Sequence, residues 1–316
     1  MSLKEEREIF DKECKGTKIF DSAKVKFLGV DGFDVYNPSI PFIHNGKKYI
    51  YGRVEKRNEW ARSWVRLFEE TNPDEFTLVK NSMIYQLEDP YIAKVQGEII
   101  LGGTRVTKEK GAVKTYCGCF YRGNDLEDMY YFTTGPDYMK DIRLVDMKNG
   151  KIGVFSRHRS DEILKKYGCE SMIGFDVIDD VNELTAENIE KAPLVPNIFA
   201  DFEWGGCNQC YMLSSGKIGI IGHKCYNDKE SGNSVYLNVA YIFDPEKHEM
   251  IDTKIIATRK SYPSGAAKRP NLADCAFPGG IIMRDDKKAE LYSGIGDCEV
   301  GRVTIAYPFE GYGDII

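Results

Sequence analysis

The chain has 316 residues, with 43 Lys and Arg against 49 Asp and Glu for a formal net charge of −6, and 42% hydrophobic residues, enough apolar side chains for an ordinary core. Its cations are dispersed among acids and no apolar run reaches membrane-spanning length, so nucleic acid and membrane are excluded as partners. The polar start Met1-Ser-Leu-Lys-Glu-Glu-Arg-Glu8 has no signal-peptide core and the nine cysteines form an odd set without framework spacing, so reduced thiols and a cytoplasmic location are expected.

In chain order, residues 3–14 are rich in charge, carry Ile9 and Phe10, and read as a short N-terminal helix. Residues 24–28 alternate like a strand and are placed to complete the last sheet of the fold, covering an edge between the chain ends. Five hairpins follow, each with an Asn or Asp head, a short apolar run, a turn and a second apolar run. They span residues 37–52 from Asn37, 89–103 from Asp89, 141–155 from Asp141, 208–222 from Asn208, and 274–294 from Asp274. Outer strands are expected at 63–69, 78–79, 115–122, 129–132, 174–178, 235–243, 253–257 and 301–307. Residues 184–191 have helical composition, with Thr185 as N-cap, and lie in a connection between units. No tract rich in Ser, Pro or Gly separates halves, so residues 1–23 are read as a helical extension and 24–316 as one domain.

The spacing of the turns selects the architecture: Gly46 to Gly97 is 51 residues, Gly97 to Gly150 is 53, Gly150 to Gly216 is 66 and Gly216 to Asp286 is 70. Strand-built repeats of that length point to an all-β, five-bladed β-propeller with several strands per blade. Its first strands would line a central channel, bringing the five heads and whatever follows the second apolar runs to one mouth. Those following segments are polar: Arg53, Glu55 and Arg57; Thr104 and Arg105; Arg157, His158 and Arg159; His223 and Lys224; Asp297 and Glu299. Carboxylates alternating with fixed cations in a concave site suit a hydroxyl-rich ligand or an anion. Aromatics at 12%, with 19 Tyr, suit both strands and surfaces that stack on sugar rings. Cys207-Asn-Gln-Cys210 has metal-ligand spacing but no second close pair, so no metal is assigned.

At Asn37-Pro, Gly52-Arg-Val-Glu55, Leu87-Glu-Asp-Pro90, Gly222-His223 and Asp274-Cys-Ala-Phe-Pro278, followed by Leu291-Tyr-Ser-Gly-Ile-Gly-Asp297, the sequence resembles glycoside hydrolase family 130, five-bladed propeller mannoside phosphorylases and mannosidases. It is closer still to the domain of unknown function 1861 family, through Met139-Lys-Asp-Ile-Arg143, Glu203-Trp-Gly-Gly206, Gly222-His-Lys224 and Pro263-Ser-Gly-Ala-Ala-Lys-Arg-Pro270. The resemblance covers residues 37–308. It implies that Asp89 is the catalytic acid, that Arg53, His223 and Lys224 cradle phosphate, and that Asp297 contacts sugar hydroxyls. Tyr91 stands where family 130 usually has Arg after Glu-Asp-Pro, and Arg143 from the next unit is the candidate replacement.

Inverting cleavage of a glycosidic bond needs an acid for the leaving oxygen and a nucleophile on the opposite face, activated by a base or already anionic. Asp89 is the candidate acid, with Glu88 or Asp297 as a like charge that would help it hold a proton. Glu55, Glu203, Asp274 and Glu299 stand equally as candidates for a water-activating base. Arg53, Arg57, Arg143, Arg157, Arg159, His223, Lys224, Lys268 and Arg269 are candidates for an anion clamp, which fits phosphate, a sugar phosphate or a uronic acid. Asn37, Asp141, Asn208 and Trp204 complete the expected substrate contacts, Trp204 by stacking on a sugar face. The expected partner is a small molecule or oligosaccharide, with inorganic phosphate an optional co-substrate, no other cofactor, and self-association left open. A non-catalytic sugar- or sugar-phosphate-binding propeller is the alternative, and a calcium-dependent lactonase of propeller type the third reading.

Overall fold

The computed structural model describes residues 1–316. Helix α1 (Leu3–Glu13) opens the chain, its Ser2 cap accepting from the Glu5 amide while the Glu5 carboxylate returns the bond to the Ser2 amide. Strand β1 (Ile19–Leu28) follows, and then five antiparallel units in sequence. The first is β2 (Asp34–Tyr36), β3 (Phe42–His44), β4 (Lys47–Glu55), β5 (Trp64–Asn72) and β6 (Glu75–Leu78); the second is β7 (Glu88–Val95), β8 (Glu98–Glu109), β9 (Ala112–Gly123) and β10 (Tyr130–Thr134). The third holds β11 (Lys140–Asp146), β12 (Ile152–His158), helix α2 (Asp161–Tyr167), β13 (Met172–Ile178) and helix α3 (Ala186–Glu190). The fourth is β14 (Trp204–Met212), β15 (Ile218–Asn227), β16 (Ser234–Asp244) and β17 (Glu249–Ala257), and the fifth β18 (Ala276–Met283), β19 (Ala289–Ile295) and β20 (Glu299–Ile305). The architecture is all-β with a short N-terminal helix, as the alternation of apolar runs and turns predicts.

Units two, three and four are separate sheets, whereas units one and five merge in the order β18-β19-β20-β1-β6-β5-β4-β2, with β3 on β4. The join is β1. Its first half pairs antiparallel with β20, from Ile19 opposite Ile305 to Val25 opposite Val300, and its last three residues pair in parallel with β6. One strand thus covers the outer edges of both chain-terminal units. The parallel half has no counterpart in the sequence reading, because nothing in an alternating strand announces its neighbour's direction.

Each of the five apolar clusters lies at a seam between units. Tyr51, Val65 and Leu67 pack on Ile92 and Leu101, and Val95 and Phe120 on Leu144 and Val154. Phe155 and Phe175 meet Phe243 at ring-centroid distances of 5.2 and 4.6 Å. Ile221 and Ala240 pack on Ala276 and Ile281, and Tyr292 and Val300 return to Ile50 and Phe68 of the first unit. Cys207 and Cys210 belong to the apolar cluster between units three and four and pack as small hydrophobes.

The heads share a device. Pairing slips by one residue at Glu88/Tyr91, Lys140/Arg143, Cys207/Gln209 and Pro278/Gly280, each a bulge that re-aims a side chain. Asp89 and Asp141 adopt left-handed φ of 48° and 58° there, and Asn37, between β2 and β3, has φ 43°, values that Asn and Asp tolerate better than most residues. The fifth head is corrected by this register. Asp274 precedes β18, and the bulge sits at Gly279, where a Cβ would strike the Pro38 and Ser39 carbonyls of unit one. Helix α2, which the sequence reading did not name, carries its own signals in the Ser160 cap and the left-handed Gly168, while α3 starts at the expected Thr185 cap.

Candidate functional site

The heads Asn37 and Asp89, with strand ends from all five units, border one cavity of about 410 Å³. Its lining includes six cations, Arg53, Lys140, Arg157, Arg159, Lys268 and Arg269, against three carboxylates, Glu88, Asp89 and Asp297. Of the sequence-predicted residues, Asn37, Arg53, Asp89, Arg157, Arg159, Trp204, His223, Lys268, Arg269 and Asp297 reach this wall.

Arg53, near the end of β4, organises the acidic side. Its guanidinium is buried and donates to Asp89 Oδ1 at 3.0 Å, Glu88 Oε1 at 2.8 Å and Glu55 Oε2 at 3.3 Å, while lying 4.7 Å over the Tyr36 ring. Asn37 Nδ2 also donates to Asp89 Oδ1, at 2.9 Å, and Lys140 Nζ stands 3.9 Å from Oδ2. The approach of Asn37 requires Gly294, since a Cβ there would overlap Asn37 Oδ1. Burial opposes ionisation of Asp89, but Arg53, Lys140 and the Asn37 amide outweigh it and hold the carboxyl below the usual aspartate range. Glu88 goes the other way: burial and the neighbouring Asp89 charge push it up against the pull of Arg53. Asp297 is likewise pushed up by burial and by Asp89, and its one side-chain partner is the Cys275 thiol at 3.8 Å. By acidity alone, Glu88 and Asp297 are the carboxyls disposed to hold a proton and Asp89 is the one disposed to be ionised before any ligand binds.

Glu55 does not reach the cavity. It is fully buried, accepts from the Tyr36 hydroxyl, Lys268 Nζ, Arg53 and the Arg62 amide, and has no oxygen left to activate water. Burial acts against its ionisation, but Arg53 and Lys268 hold it below the usual range. Its effect is to fix two cavity cations and the end of the segment that joins β4 to β5.

Opposite this group, the Asp141 carboxylate sits behind the wall. Arg157 donates to Asp141 Oδ2 at 2.5 Å and Arg143 approaches Oδ1 at 3.6 Å. Arg143 spends its other donors on the Asn208 and Ile142 carbonyls and lies 4.9 Å over the Tyr91 ring, so it does not replace the guanidinium missing at Tyr91. His223 is fully buried, with Nδ1 2.7 Å from Asn208 Oδ1. Since Asn208 Oδ1 accepts, the proton is on Nδ1, and Nε2, which has no partner, presents a lone pair. Burial, with Arg157 and Lys140 nearby, lowers its pKa to about 3 against the opposing pull of Asp141. A neutral His223 accepts a hydrogen bond from a hydroxyl or a protonated phosphate oxygen, and supplies no positive charge.

The remaining predicted residues are spoken for elsewhere. Glu203 pairs with Lys224 at 3.1 Å and accepts from the Ala200 amide. Asp274 is held by Arg7 of α1 at 2.7 Å and Asn233 at 2.9 Å. Arg57 forms a bidentate pair with Asp34 at the surface, and Glu299 pairs with Lys24. In each case a partner distant in sequence neutralises the charge, which strand-end position does not reveal. Lys140 and the aromatic wall of Tyr36, Trp60 and Tyr236 went unread. Lys140 was overlooked beside the head residue Asp141, although a bulge turns neighbours toward the same space.

A family model described as Protein of unknown function (DUF1861) matches residues 11–311. Among solved structures, MPT-4, a mannose phosphorylase from Leishmania mexicana in complex with phosphate ion, is similar at 48% identity and a TM-score of 0.93, over 99% of this chain and 96% of that one. MPT-1, a GDP-Man-dependent mannosyltransferase from the same organism, is similar at 44% identity and a TM-score of 0.91, over 100% of this chain and 98% of that one. A β-1,2-mannobiose phosphorylase from Listeria innocua shares the fold at 14% identity and a TM-score of 0.63, over 88% of this chain and 91% of that one. No curated protein sequence matches the chain.

Proposed function

Because the chain belongs to the family described as Protein of unknown function (DUF1861), we propose that it is a mannoside phosphorylase, transferring a mannosyl group with inversion between a saccharide and inorganic phosphate at the mouth of a five-bladed β-propeller. The apolar seams running from unit to unit, and from the fifth back to the first, support the closed ring. The similarity to a mannose phosphorylase at 48% identity supports the sugar.

One observation carries phosphorolysis over hydrolysis. The cavity wall has a surplus of cations, while all four carboxylates considered as water-activating bases, Glu55, Glu203, Asp274 and Glu299, lie off that wall and are engaged by cations. With those four engaged, and with Lys140 and Arg269 on the wall having no hydrogen-bonded carboxylate, the site suits a nucleophile that arrives already anionic. Lys140, Arg157 and Arg159 would seat the phosphate, and Asp297 and the His223 lone pair would receive sugar hydroxyls. A phosphate oxygen attacks the anomeric carbon as the glycosidic C–O bond breaks, and Asp89 passes its proton to the departing oxygen. Asp89 is ionised in the empty site because Arg53 and Lys140 favour its charge. A phosphate on Lys140 cancels part of that field, so the carboxyl takes up its proton, from dihydrogen phosphate or solvent, as the nucleophile binds.

The test is incubation with manno-oligosaccharides of defined linkage, with and without phosphate, followed by assay for mannose 1-phosphate. Phosphate-dependent release is expected. Free mannose released at equal rates without phosphate, or transfer that needs GDP-mannose, would reject the reading.

A further inference from the structure

The cavity does not end at its own wall. A second lobe of about 570 Å³ adjoins it across the seam between units one and two, and the two share Ala61, Glu88, Thr104 and Val106. Resting on the phosphorylase reading, we infer that this lobe binds the leaving portion of an oligosaccharide, so that the substrate is a chain longer than a disaccharide.

Placement is the first argument. Lys140, Arg157, Arg159 and His223 belong to units three and four, whereas the lobe is built from the segment after β4, the start of β7 and the end of β8. In an inverting displacement the nucleophile and the leaving group occupy opposite faces of the sugar ring. An anion seated on units three and four therefore directs the departing saccharide toward units one and two. Glu88, beside the candidate acid Asp89, stands at the junction.

Lining chemistry is the second. The lobe offers Ser63, Gln86, Thr104 and Trp64 to hydroxyls and sugar faces, beside the cations Arg62 and Lys108 and the single carboxylate Glu88. Ser63 is 7% exposed, lines the lobe, and its Oγ has no hydrogen-bond partner. A buried hydroxyl left unsatisfied within a protein is costly, and a ligand hydroxyl in the lobe would satisfy it.

The divide between the two spaces is the third. Trp60, which lines the first cavity, is 57% exposed, and next to it Ala61 takes a left-handed φ of 53°. Lys108 Nζ donates to the Trp60 carbonyl at 2.7 Å and stands 5.8 Å from its ring centroid, while the Arg269 guanidinium lies 5.9 Å from the same centroid. An indole held in place by two cations yet open to solvent is a stacking surface for a sugar ring passing from one lobe to the next.

The experiment measures dissociation constants by calorimetry for a matched series of α- and β-linked manno-oligosaccharides, disaccharide to tetrasaccharide, on the full chain and on Gln86→Trp, which fills the lobe with a second indole. For the linkage that binds, the tetrasaccharide should bind about tenfold tighter than the disaccharide, and Gln86→Trp should bring that ratio to about one. Equal affinities for the two lengths, a ratio that survives Gln86→Trp, or no binding of any member overturns the inference. A length preference lost in Gln86→Trp, without phosphate-dependent mannose 1-phosphate release from any member, keeps the lobe assignment and removes the phosphorylase reading.

Discussion

Replacing Asp89 by Asn removes one charge and leaves nearly the same shape. In the native site Asp89 Oδ1 accepts from Arg53 at 3.0 Å and from Asn37 at 2.9 Å, and a carboxamide oxygen can accept both. Arg53 keeps Glu88 at 2.8 Å and Glu55 at 3.3 Å, so the buried guanidinium is not orphaned. What is lost is the ionic part of the contacts with Arg53 and Lys140, about 2 kcal/mol for hydrogen bonds to a charged group, and Tm should fall by only a few degrees. Catalysis should suffer far more, because a carboxamide has no proton to give: phosphorolysis should drop by about 10² to 10⁴. The pH dependence of stability adds an internal check. The folded Asp89 carboxyl lies below its unfolded value, so its stabilisation is complete above about pH 4 and is lost as pH falls through the depressed folded value. Asp89→Asn should lack that acid-side loss. The assays are mannose 1-phosphate release and thermal melts across pH. A folded variant keeping more than about a tenth of wild-type kcat would refute the assignment of proton transfer to Asp89.

Lys140→Gln should raise KM for phosphate about tenfold or more, read from initial rates. It should also move the alkaline limb of the rate profile to higher pH, since removing a cation 3.9 Å from Asp89 raises that carboxyl's pKa and lets its proton persist. His223, with its pKa lowered to about 3, should show no imidazole titration between about pH 5 and 9 by nitrogen NMR; a midpoint near the free-histidine value of about 6.5 would contradict its neutral, Asn208-bonded state. Arg57→Ala should leave turnover within about twofold and stability within about 1 kcal/mol, because its pair with Asp34 is at the surface; loss of activity would return Arg57 to the anion clamp.

The units were legible because turn chemistry and alternation are local. Gly46, Gly97, Gly150 and Gly216 adopt left-handed φ between the paired strands, as glycine at a hairpin tip permits. The two faults in the reading were non-local. The fifth head was placed at Asp274 because it repeats the residue type of the others. The position in register with them is Gly279, required to be small by carbonyls of unit one that are distant in sequence. The parallel pairing of β1 with β6 depends likewise on two chain segments meeting only when units one and five adjoin.

For the site, charge at strand ends was legible, but its disposition was not. Asp89 is the second residue of β7 and Asp274 lies just before β18; what separates them in role is Arg7, which reaches Asp274 from a helix at the other end of the chain. The same logic divides Lys140, which stands 3.9 Å from Asp89 without a hydrogen bond, from Lys224, bound to Glu203 at 3.1 Å. Burying so many charges is a poor route to stability, because desolvation offsets most of what an ion pair returns. Arg53, held by three carboxylates, and Asp141, shared between Arg157 and Arg143, are better understood as fixed fields. Dipoles and charges aligned before the substrate arrives need no reorganisation in the transition state, and that preorganisation is where such a network contributes to rate.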